Sequence, residues 1–180
     1  MILNEVTKAI FGRQTVREYK PEQISGEQLQ TLINAALLAP SGRNSQPCHV
    51  RFLQNADMLR GMQIDFKNLV GWDTPVHTRS DKNPFYHNAP TFALIFAEGQ
   101  SHMDGGIMAE NICIAAQGIG LGTCLVGSAG ALFNAPEGVK WKLKMNIPGD
   151  YVYLIGICIG YPDEKPEQKP RIEDRIQVIR

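Results

Sequence analysis

Two continuous apolar runs constrain the fold of this chain more than any other feature of its sequence. Residues 91–97 read Thr-Phe-Ala-Leu-Ile-Phe-Ala, and residues 151–160 read Tyr-Val-Tyr-Leu-Ile-Gly-Ile-Cys-Ile-Gly. Strands with one face in water alternate polar and apolar residues, whereas strands covered on both faces read as unbroken apolar runs. The sequence therefore predicts two strands that are buried on both faces.

Helical patterns occupy much of the rest of the chain. The best marked begins at Ser25, where Ser-Gly-Glu-Gln fits a capping box and apolar residues then recur at helical spacing from Leu29 to Leu37. A loose alternation over residues 49–53 predicts a half-buried strand. Three further helices are predicted over residues 4–12, with Asn4 as the N-cap, over 59–70 and over 102–119.

The size and charge of the chain limit its possible partners. Its 180 residues are enough for one domain, which we place at residues 1–180. Lys plus Arg and Asp plus Glu both number 18, so the chain offers no basic field to a nucleic acid. No stretch approaches the roughly 20 apolar residues of a membrane helix. A cytoplasmic protein that binds neither nucleic acid nor membrane is expected.

The cysteines and histidines show no spacing typical of a metal site. The four cysteines form no Cys-x-x-Cys pair and three lie within apolar runs, so we interpret them as reduced, mostly buried small hydrophobes. They are Cys48, Cys113, Cys124 and Cys158. The sequence therefore predicts neither a metal centre nor a structural disulfide.

A glycine-rich segment over residues 118–128 contains the spacing Gly-x-Gly-x-Gly. A dinucleotide-binding fingerprint needs its glycines after a strand and before a helix, whereas these follow a predicted helix and lead into a short strand. No glycine is followed by Lys-Ser or Lys-Thr, as a phosphate-binding P-loop requires. The segment is therefore predicted to be a tight helix-to-strand turn with close backbone approach.

Two short polar segments are candidates for ligand binding. Residues 13–17 read Arg-Gln-Thr-Val-Arg, which suits a phosphate clamp, because guanidinium groups bind phosphate through paired N–H donors, or a solvated basic edge. Residues 39–47 read Ala-Pro-Ser-Gly-Arg-Asn-Ser-Gln-Pro, which can offer backbone N–H groups to a ligand or form an ordinary turn. Both interpretations of each segment stay open on these residues alone.

Two irregular stretches complete the chain. Residues 71–90 carry several prolines with Trp72, Phe85 and Tyr86 interspersed, and are interpreted as a flexible flap whose aromatics cover a site, or as a loop that these aromatics anchor to the core. Residues 162–180 form a polar, proline-rich tail. It ends in a strand pattern at residues 176–179, which is expected to reach the sheet edge of another subunit.

Taken in order along the chain, these features resemble the FMN-dependent nitroreductase family over nearly the whole sequence. Residues 40–47 and 13–17 match the family pattern most specifically, and residues 120–127, Gly-Leu-Gly-Thr-Cys-Leu-Val-Gly, support them. The resemblance implies an α+β fold with a central mixed β-sheet flanked by helices. It also implies a homodimer with two FMN sites between the subunits and a C-terminal strand exchanged between them.

The resemblance further implies which residues bind FMN. The phosphate and ribityl chain would be held by Arg13, Gln14, Thr15 and Arg17, and the basic pair Lys169 and Arg171 would close over the phosphate. The flavin would be lined from the other subunit by Pro40, Ser41, Gly42 and Asn44. The residues beside the ring, with a backbone N–H near its reactive nitrogen, would be Leu125, Val126, Gly127 and Ser128.

Several positions depart from the family pattern. Gln14 stands where a basic residue or His is frequent, and Cys48 replaces the aromatic that often follows Gln-Pro. The family's usual Asn and basic contacts before the aromatic loop have only Lys67 and Asn68 as candidates. The helical insertion that shapes the substrate pocket in larger members is missing, so the substrate is not transferred from the family.

The resemblance implies an enzyme in which FMN carries the chemistry while the protein binds and orients it. NAD(P)H would deliver hydride to the flavin and leave, and an electron-poor acceptor such as a nitroaromatic or quinone would then take the electrons in the same cleft. No catalytic side chain is required, and Arg13 or Arg17 is expected to stabilise the anionic reduced flavin. A flavin carrier or redox sensor without turnover, and a dimeric domain without cofactor, are the alternative hypotheses.

Overall fold

A four-stranded antiparallel sheet organises the computed structural model, which describes residues 1–73 and 84–180. Its strands are β1 (Cys48–Leu53), β2 (Thr91–Ala97), β3 (Gly122–Val126) and β4 (Val152–Gly160). Their spatial order is β1-β2-β4-β3, and each strand is antiparallel to its neighbours. The two strands predicted from apolar runs are therefore the central pair, and all seven residues of β2 are buried.

The first three helices begin at side-chain caps. The side chains of Asn4, Ser25 and Asn55 each accept a hydrogen bond from the backbone N–H three residues on, which satisfies a donor that a first helical turn leaves unpaired. The α-helices of the described residues are α1 (Glu5–Gly12), α2 (Gly26–Leu37), α3 (Ala56–Val70), α4 (His102–Gly118), α5 (Gly130–Phe133) and α6 (Val139–Lys144). Among them, none is long and apolar enough to cross a membrane.

Both faces of the sheet are covered, because successive residues of β2 point to opposite sides. Phe92, Leu94 and Phe96 pack with side chains of α3, α5 and α6. Ala93 and Ile95 pack with side chains of α2 and α4 on the other face. An unbroken apolar run thus serves two cores at once, which is why it is more informative than an alternating strand. The predicted α+β fold is confirmed.

The segment 13–17 lies along the outer edge of β3. The four strands pair antiparallel throughout, so the sheet is not mixed as predicted. Outside these strands, Thr15 makes an isolated parallel bridge to Thr123, and the Val16 N–H donates to the Thr123 carbonyl at 2.9 Å. Gly122 permits this close approach, since a Cβ there would lie 2.9 Å from side-chain atoms of Val16. Backbone contact therefore fixes the segment on the strand.

The chain that leaves β4 pairs with the residues that follow segment 13–17. The Lys20 N–H donates to the Tyr161 carbonyl, and the Asp163 N–H donates to the Glu18 carbonyl, both at 2.9 Å. This pairing directs the beginning of the tail alongside the two arginines of the segment. Residues far apart in sequence are thereby brought to one edge of the sheet.

Aromatic side chains of residues 84–90 attach the long connection to the core. Phe85 is fully buried and Tyr86 is 9% exposed, as the anchoring interpretation predicts, whereas Trp72 is 44% exposed. The predicted flap falls largely on residues 74–83, which lie outside the described residues.

Several apolar side chains predicted to be buried or paired face solvent in this single chain. On α2, Leu32 is buried as the periodicity predicts, but Leu37 is 71% exposed. Residues 176–179 form no strand in the described part of the chain, and Ile176 and Ile179 are 84% and 89% exposed. Pairing of this tail with another subunit therefore stays a prediction.

Candidate functional site

Segment 13–17 and the tail enclose a cavity of about 370 Å³, which we call the cation cavity. Guanidinium groups reach it from the segment, and a lysine and an arginine reach it from the tail. All six residues predicted to hold a phosphate and its attached chain line it: Arg13, Gln14, Thr15, Arg17, Lys169 and Arg171. The structure therefore brings together side chains from opposite ends of the sequence.

Two carboxylates that the sequence analysis did not identify also line the cation cavity. Glu164 accepts hydrogen bonds from the backbone N–H groups of Arg17 and Glu18, the latter at 3.2 Å, and Glu167 lines the same cavity. Glu164 thus fixes the backbone that carries Arg17 while its charge offsets part of the cationic field. No local motif marks these residues, because the pairing of the chain after β4 is what places them.

The charge balance of the cation cavity suits a doubly charged anion. Four cationic side chains face two carboxylates, which leaves an excess of two positive charges. A phosphate monoester carries about −1.5 to −2 charges at pH 7. Because guanidinium groups bind phosphate oxygens through paired N–H donors, the cavity can hold one phosphate with little net charge left over.

A second cavity, of about 300 Å³, follows the edge of β3 and is called here the strand-edge cavity. Arg17 lines both cavities, so they adjoin at this side chain. His87 and Cys124, neither of them predicted, also line it. The four residues predicted to run beside a flavin ring all lie here: Leu125, Val126, Gly127 and Ser128.

The turn before β3 sets the position of this edge. Gly120 has a φ of 80°, in the left-handed region, and the Leu121 N–H donates to the Ala116 carbonyl of α4 at 2.9 Å. The predicted tight helix-to-strand turn is confirmed. It brings the chain from α4 directly into β3 and hence into the strand-edge cavity.

Burial raises the pKa of the Cys124 thiol in the strand-edge cavity. Burial likewise raises the pKa of Cys113 to about 11 and that of Cys158 well above its usual range. All three are buried, as predicted. They are neutral thiols at physiological pH, and the thiolate is the nucleophilic form, so none is prepared for nucleophilic chemistry. The described residues also contain no group of three side chains that could hold a metal ion.

The two ends of the loop at residues 40–47, Pro40 with Ser41 and Gln46 with Pro47, line a third cavity of about 290 Å³. This cavity, called here the loop cavity, shares no lining residue with the other two. Pro40 and Ser41 line it together with Asp104 of α4, whereas Gly42 and Asn44 are exposed. The Gly42 N–H donates to Asp104 Oδ1 at 3.0 Å. One chain therefore does not bring this loop to the other predicted site residues.

The backbone of the loop favours its functional interpretation over an ordinary turn. Three non-glycine residues have left-handed φ angles: Arg43 at 54°, Asn44 at 56° and Gln46 at 49°. Such conformations cost about 1–3 kcal/mol each and cluster at ligand-binding sites, where the surrounding structure imposes them. The loop is thus a specific conformation held in place by its contacts.

Lys67 and Asn68, the candidates for a further family contact, line none of the three cavities. Lys67 is fully buried, and its Nζ has no hydrogen-bond partner among residues 1–73 and 84–180. Asn68 accepts a hydrogen bond from the indole N–H of Trp72 at 3.3 Å. The structure does not bring either residue to the rest of the predicted site.

Comparisons with known proteins show what this arrangement is similar to. A family model described as the Nitroreductase family matches residues 10–161. An NADPH-flavin oxidoreductase of Vibrio harveyi is 26% identical over 185 residues, covering 98% of this chain and 73% of that protein. An FMN reductase (NAD(P)H) of Bacillus subtilis is 26% identical over 196 residues, covering 94% and 71%. A nitroreductase with bound FMN from Bacteroides fragilis has a like fold, with a TM-score of 0.90 at 22% identity, covering 99% and 100%.

Proposed function

The chain belongs to the nitroreductase family, and from that membership we propose its activity and its mode of cofactor binding. It is an FMN-dependent oxidoreductase that passes electrons from NAD(P)H to an electron-poor acceptor such as a nitroaromatic or a quinone. Relatives named NADPH-flavin oxidoreductase and FMN reductase support the activity. The observation that carries the binding mode is the position of Arg17, which lines both the cation cavity and the strand-edge cavity.

The cation cavity supports binding of the FMN phosphate. Its excess of two positive charges matches a phosphate dianion, and its side chains approach from two sides. Hydroxyl and amide groups in the same cavity would bind the ribityl hydroxyls. The residues proposed for the phosphate and ribityl chain are Arg13, Gln14, Thr15, Arg17, Lys169 and Arg171.

The strand-edge cavity supports binding of the flavin ring. The side chain of Leu125 is 45% exposed at the edge of β3, while Cys124 and Val126 on either side are buried. An apolar side chain and the backbone of the strand are thus available to a flat ring beside Arg17. The residues proposed to line the ring are Leu125, Val126, Gly127 and Ser128.

FMN, when bound, accepts two electrons from NAD(P)H and passes them to the acceptor. The residues of the chain bind and orient it, and they stabilise the negative charge that its reduction introduces. Arg17 would supply positive charge beside the ring. Glu164 and the pairing of Val16 with β3 hold the backbone that carries this side chain.

A homodimer is part of the proposal, because the loop at residues 40–47 lies apart from the strand-edge cavity within one chain. The loop of one subunit would line the flavin of the other through Pro40, Ser41, Gly42 and Asn44. The structure keeps the first part of the predicted tail, residues 162–171, on its own chain, so only residues 172–180 would reach across the partner. Large exposed apolar side chains support such an interface. They include Ile2, Leu3, Val6, Ile10, Phe11, Leu37, Leu38, Met103, Ile172, Ile176, Val178 and Ile179.

The cysteines bear on the compartment. All four are free, and three of them are buried. Structural disulfides are typical of oxidising compartments and rare in the cytosol. The state of the cysteines therefore supports a cytoplasmic location as a further part of the proposal.

The visible spectrum of the purified protein tests this function. We expect a yellow protein that anaerobic NAD(P)H bleaches and that a nitroaromatic or quinone then restores. A yellow colour that NAD(P)H does not bleach would instead indicate a flavin carrier or redox sensor. A colourless protein that does not bind added FMN would contradict the proposal.

A further inference from the structure

His87 places an imidazole on the wall of the strand-edge cavity. It lines this cavity together with Arg17 and with Ser128, two residues beyond the end of β3, and it is 8% exposed. No sequence motif pointed to it. An imidazole changes charge near neutral pH, so this position allows the charge of the cavity to respond to proton concentration.

The backbone at His87 is held in an uncommon conformation. Its φ is 51°, in the left-handed region, and its N–H donates to the Pro84 carbonyl at 2.8 Å. The preceding Phe85 is fully buried, and its ring centroid lies 5.3 Å from that of Phe66 and 5.5 Å from that of Phe92. Left-handed non-glycine residues persist where the surroundings impose them, and such residues cluster at functional sites. The buried aromatic ring of Phe85 therefore holds in place the turn whose backbone carries His87.

Other ionisable groups share the cavity wall with His87 or belong to neighbouring elements. On the cavity wall these are Arg17 and Cys124, whose thiol pKa is raised by burial. Glu164 accepts a hydrogen bond from the Arg17 N–H, and the Cys158 thiol of β4 donates to the Tyr86 carbonyl. The pKa of Tyr86 itself is raised, because burial outweighs the opposing charge of Arg60. On α3, Lys67 is a further buried ionisable group. Among the residues that line the cavity, His87 is the group whose ordinary pKa lies near neutrality.

We propose that His87 and Arg17 together stabilise the reduced cofactor, and that His87 couples this stabilisation to pH. The inference rests on the proposed function. Reduction would bring two electrons and one proton to the ring, as hydride from NAD(P)H or as electrons from dithionite with a proton from solvent, and would leave one negative charge on it. A second proton, taken from solvent, then binds the His87 imidazole and pairs that charge. Oxidation by the acceptor returns both protons.

The reduction potential of bound FMN tests this role. His87→Asn is the matched variant, because asparagine tolerates the left-handed backbone and stays neutral. At pH 6.0 we expect the equilibrium constant for two-electron reduction to be about tenfold smaller in the variant, a shift of about 30 mV. At pH 8.5, well above the ordinary pKa of an imidazole, the two potentials should coincide.

Two further variants separate charge from structure. His87→Lys should keep the higher potential at both pH values, since its ammonium stays protonated. His102→Asn removes an exposed histidine of α4 that does not line the cavity, and its potentials should match those of the wild type. Equal potentials at pH 6.0 for the wild type and His87→Asn, with FMN still bound to both, would overturn the role of His87 alone. A wild-type protein that binds no FMN would overturn the proposed function itself.

If His87→Asn does not fold, proton uptake on reduction can still be compared between the wild-type protein and His87→Lys. A tenfold effect corresponds to a rise of the imidazole pKa by one unit on reduction, so the wild-type protein should take up about half a proton more per two electrons than His87→Lys near neutral pH. The same proton uptake in both proteins would contradict the inference. Bound FMN absorbance and the thermal unfolding midpoint establish that each variant is folded before its potential is measured.

Discussion

The cation cavity and the loop cavity differ in how far a single chain completes them. Around the cation cavity, backbone hydrogen bonds join segment 13–17 to β3 and join the residues after it to the chain leaving β4. All the side chains predicted for one end of the ligand converge there. The loop at residues 40–47 is equally specific in its backbone, yet its cavity shares no residue with the others.

Two motifs can thus match the same family and still lie in separate cavities of one polypeptide. The cation cavity depends on pairing between distant parts of the same chain, so folding of the monomer is sufficient to form it. In our proposal the loop serves the flavin held by the other subunit, so its function depends on association. Variants that separate folding from association are therefore the most informative.

Deleting residues 172–180 should have the largest effect, because it removes association while sparing Lys169 and Arg171. The deletion takes away four apolar side chains that are 66–89% exposed in the single chain: Ile172, Ile176, Val178 and Ile179. Burying each of them fully would contribute about 1.5–3 kcal/mol. We expect dissociation of the dimer at micromolar concentration, measured by light scattering after size exclusion.

The control for this deletion is Ile64→Ser on α3, which removes an apolar side chain that is 51% exposed and is not part of the proposed interface. It should leave the dimer intact. A deletion variant that stays dimeric would rule out the exchanged tail as the source of association. A monomeric variant that binds FMN as tightly as the wild type would rule out the dependence of the loop on association.

The double variant Arg13→Ala/Arg17→Ala tests the cation cavity. Each charge-assisted hydrogen bond to phosphate contributes about 1.5–3 kcal/mol, so affinity for FMN should fall on the order of 10²- to 10⁴-fold. Quenching of FMN fluorescence on titration measures it. Arg60→Ala, which removes an exposed arginine paired with Asp57 on α3, is the control. A double variant purified with full FMN content would refute the phosphate clamp.

Asp104→Ala should have a smaller effect, because it loosens the loop without removing a cation. The Gly42 N–H would lose its 3.0 Å hydrogen bond to the carboxylate. A hydrogen bond of this kind at a half-exposed position contributes about 1 kcal/mol, so FMN affinity should fall roughly fivefold. Asp57→Ala on α3 is the matched control. If affinity for FMN is unchanged in Asp104→Ala, the loop does not belong to the FMN site.

The smallest expected effect is on the rate at which Cys48, in the loop cavity, is alkylated. Burial, and then the charge of Asp104, raises the pKa of this thiol to about 11. Since the thiolate is the reactive form and is scarce below that pKa, labelling by iodoacetamide should accelerate about tenfold per pH unit from pH 7 to 10. In Asp104→Asn the pKa should fall and labelling at pH 8 should be faster. Peptide mass spectrometry follows the site, and an equal rate in both proteins would contradict the coupling.

Sequence patterns predicted most of the fold because its elements carry local signals. The capping residues Asn4 and Ser25 begin helices as predicted, since their side chains satisfy backbone donors within one turn. The unbroken apolar runs identified β2 and β4 as the central strands. Exposure of Leu37 was not predictable in the same way, because an apolar periodicity does not say whether the same chain or another one covers it.

The candidate site was only partly predictable for a related reason. Arg13 and Arg17 stand together in sequence, so their donor cluster is visible without a structure. Glu164 reaches the cation cavity because the chain after β4 pairs with residues 17–20. His87 reaches the strand-edge cavity because buried aromatic side chains hold its turn. Neither residue carries a local sequence signature. Lys169 was predicted from the resemblance to the family. That it shares a cavity with two carboxylates is seen only in the tertiary structure.

The missing side chain at Gly122 affects which ligands can bridge the two cavities. Because Val16 rests directly on the main chain of β3, the backbone that carries the two arginines lies at a fixed distance from the strand, and only the arginine side chains can adjust. A molecule that occupies both cavities therefore meets a framework of nearly constant length. A shorter flavin without phosphate would leave the cations unpaired, and a longer one would displace its ring. A single hydrogen in place of a methyl group thus makes molecular length, as well as charge, a criterion for binding.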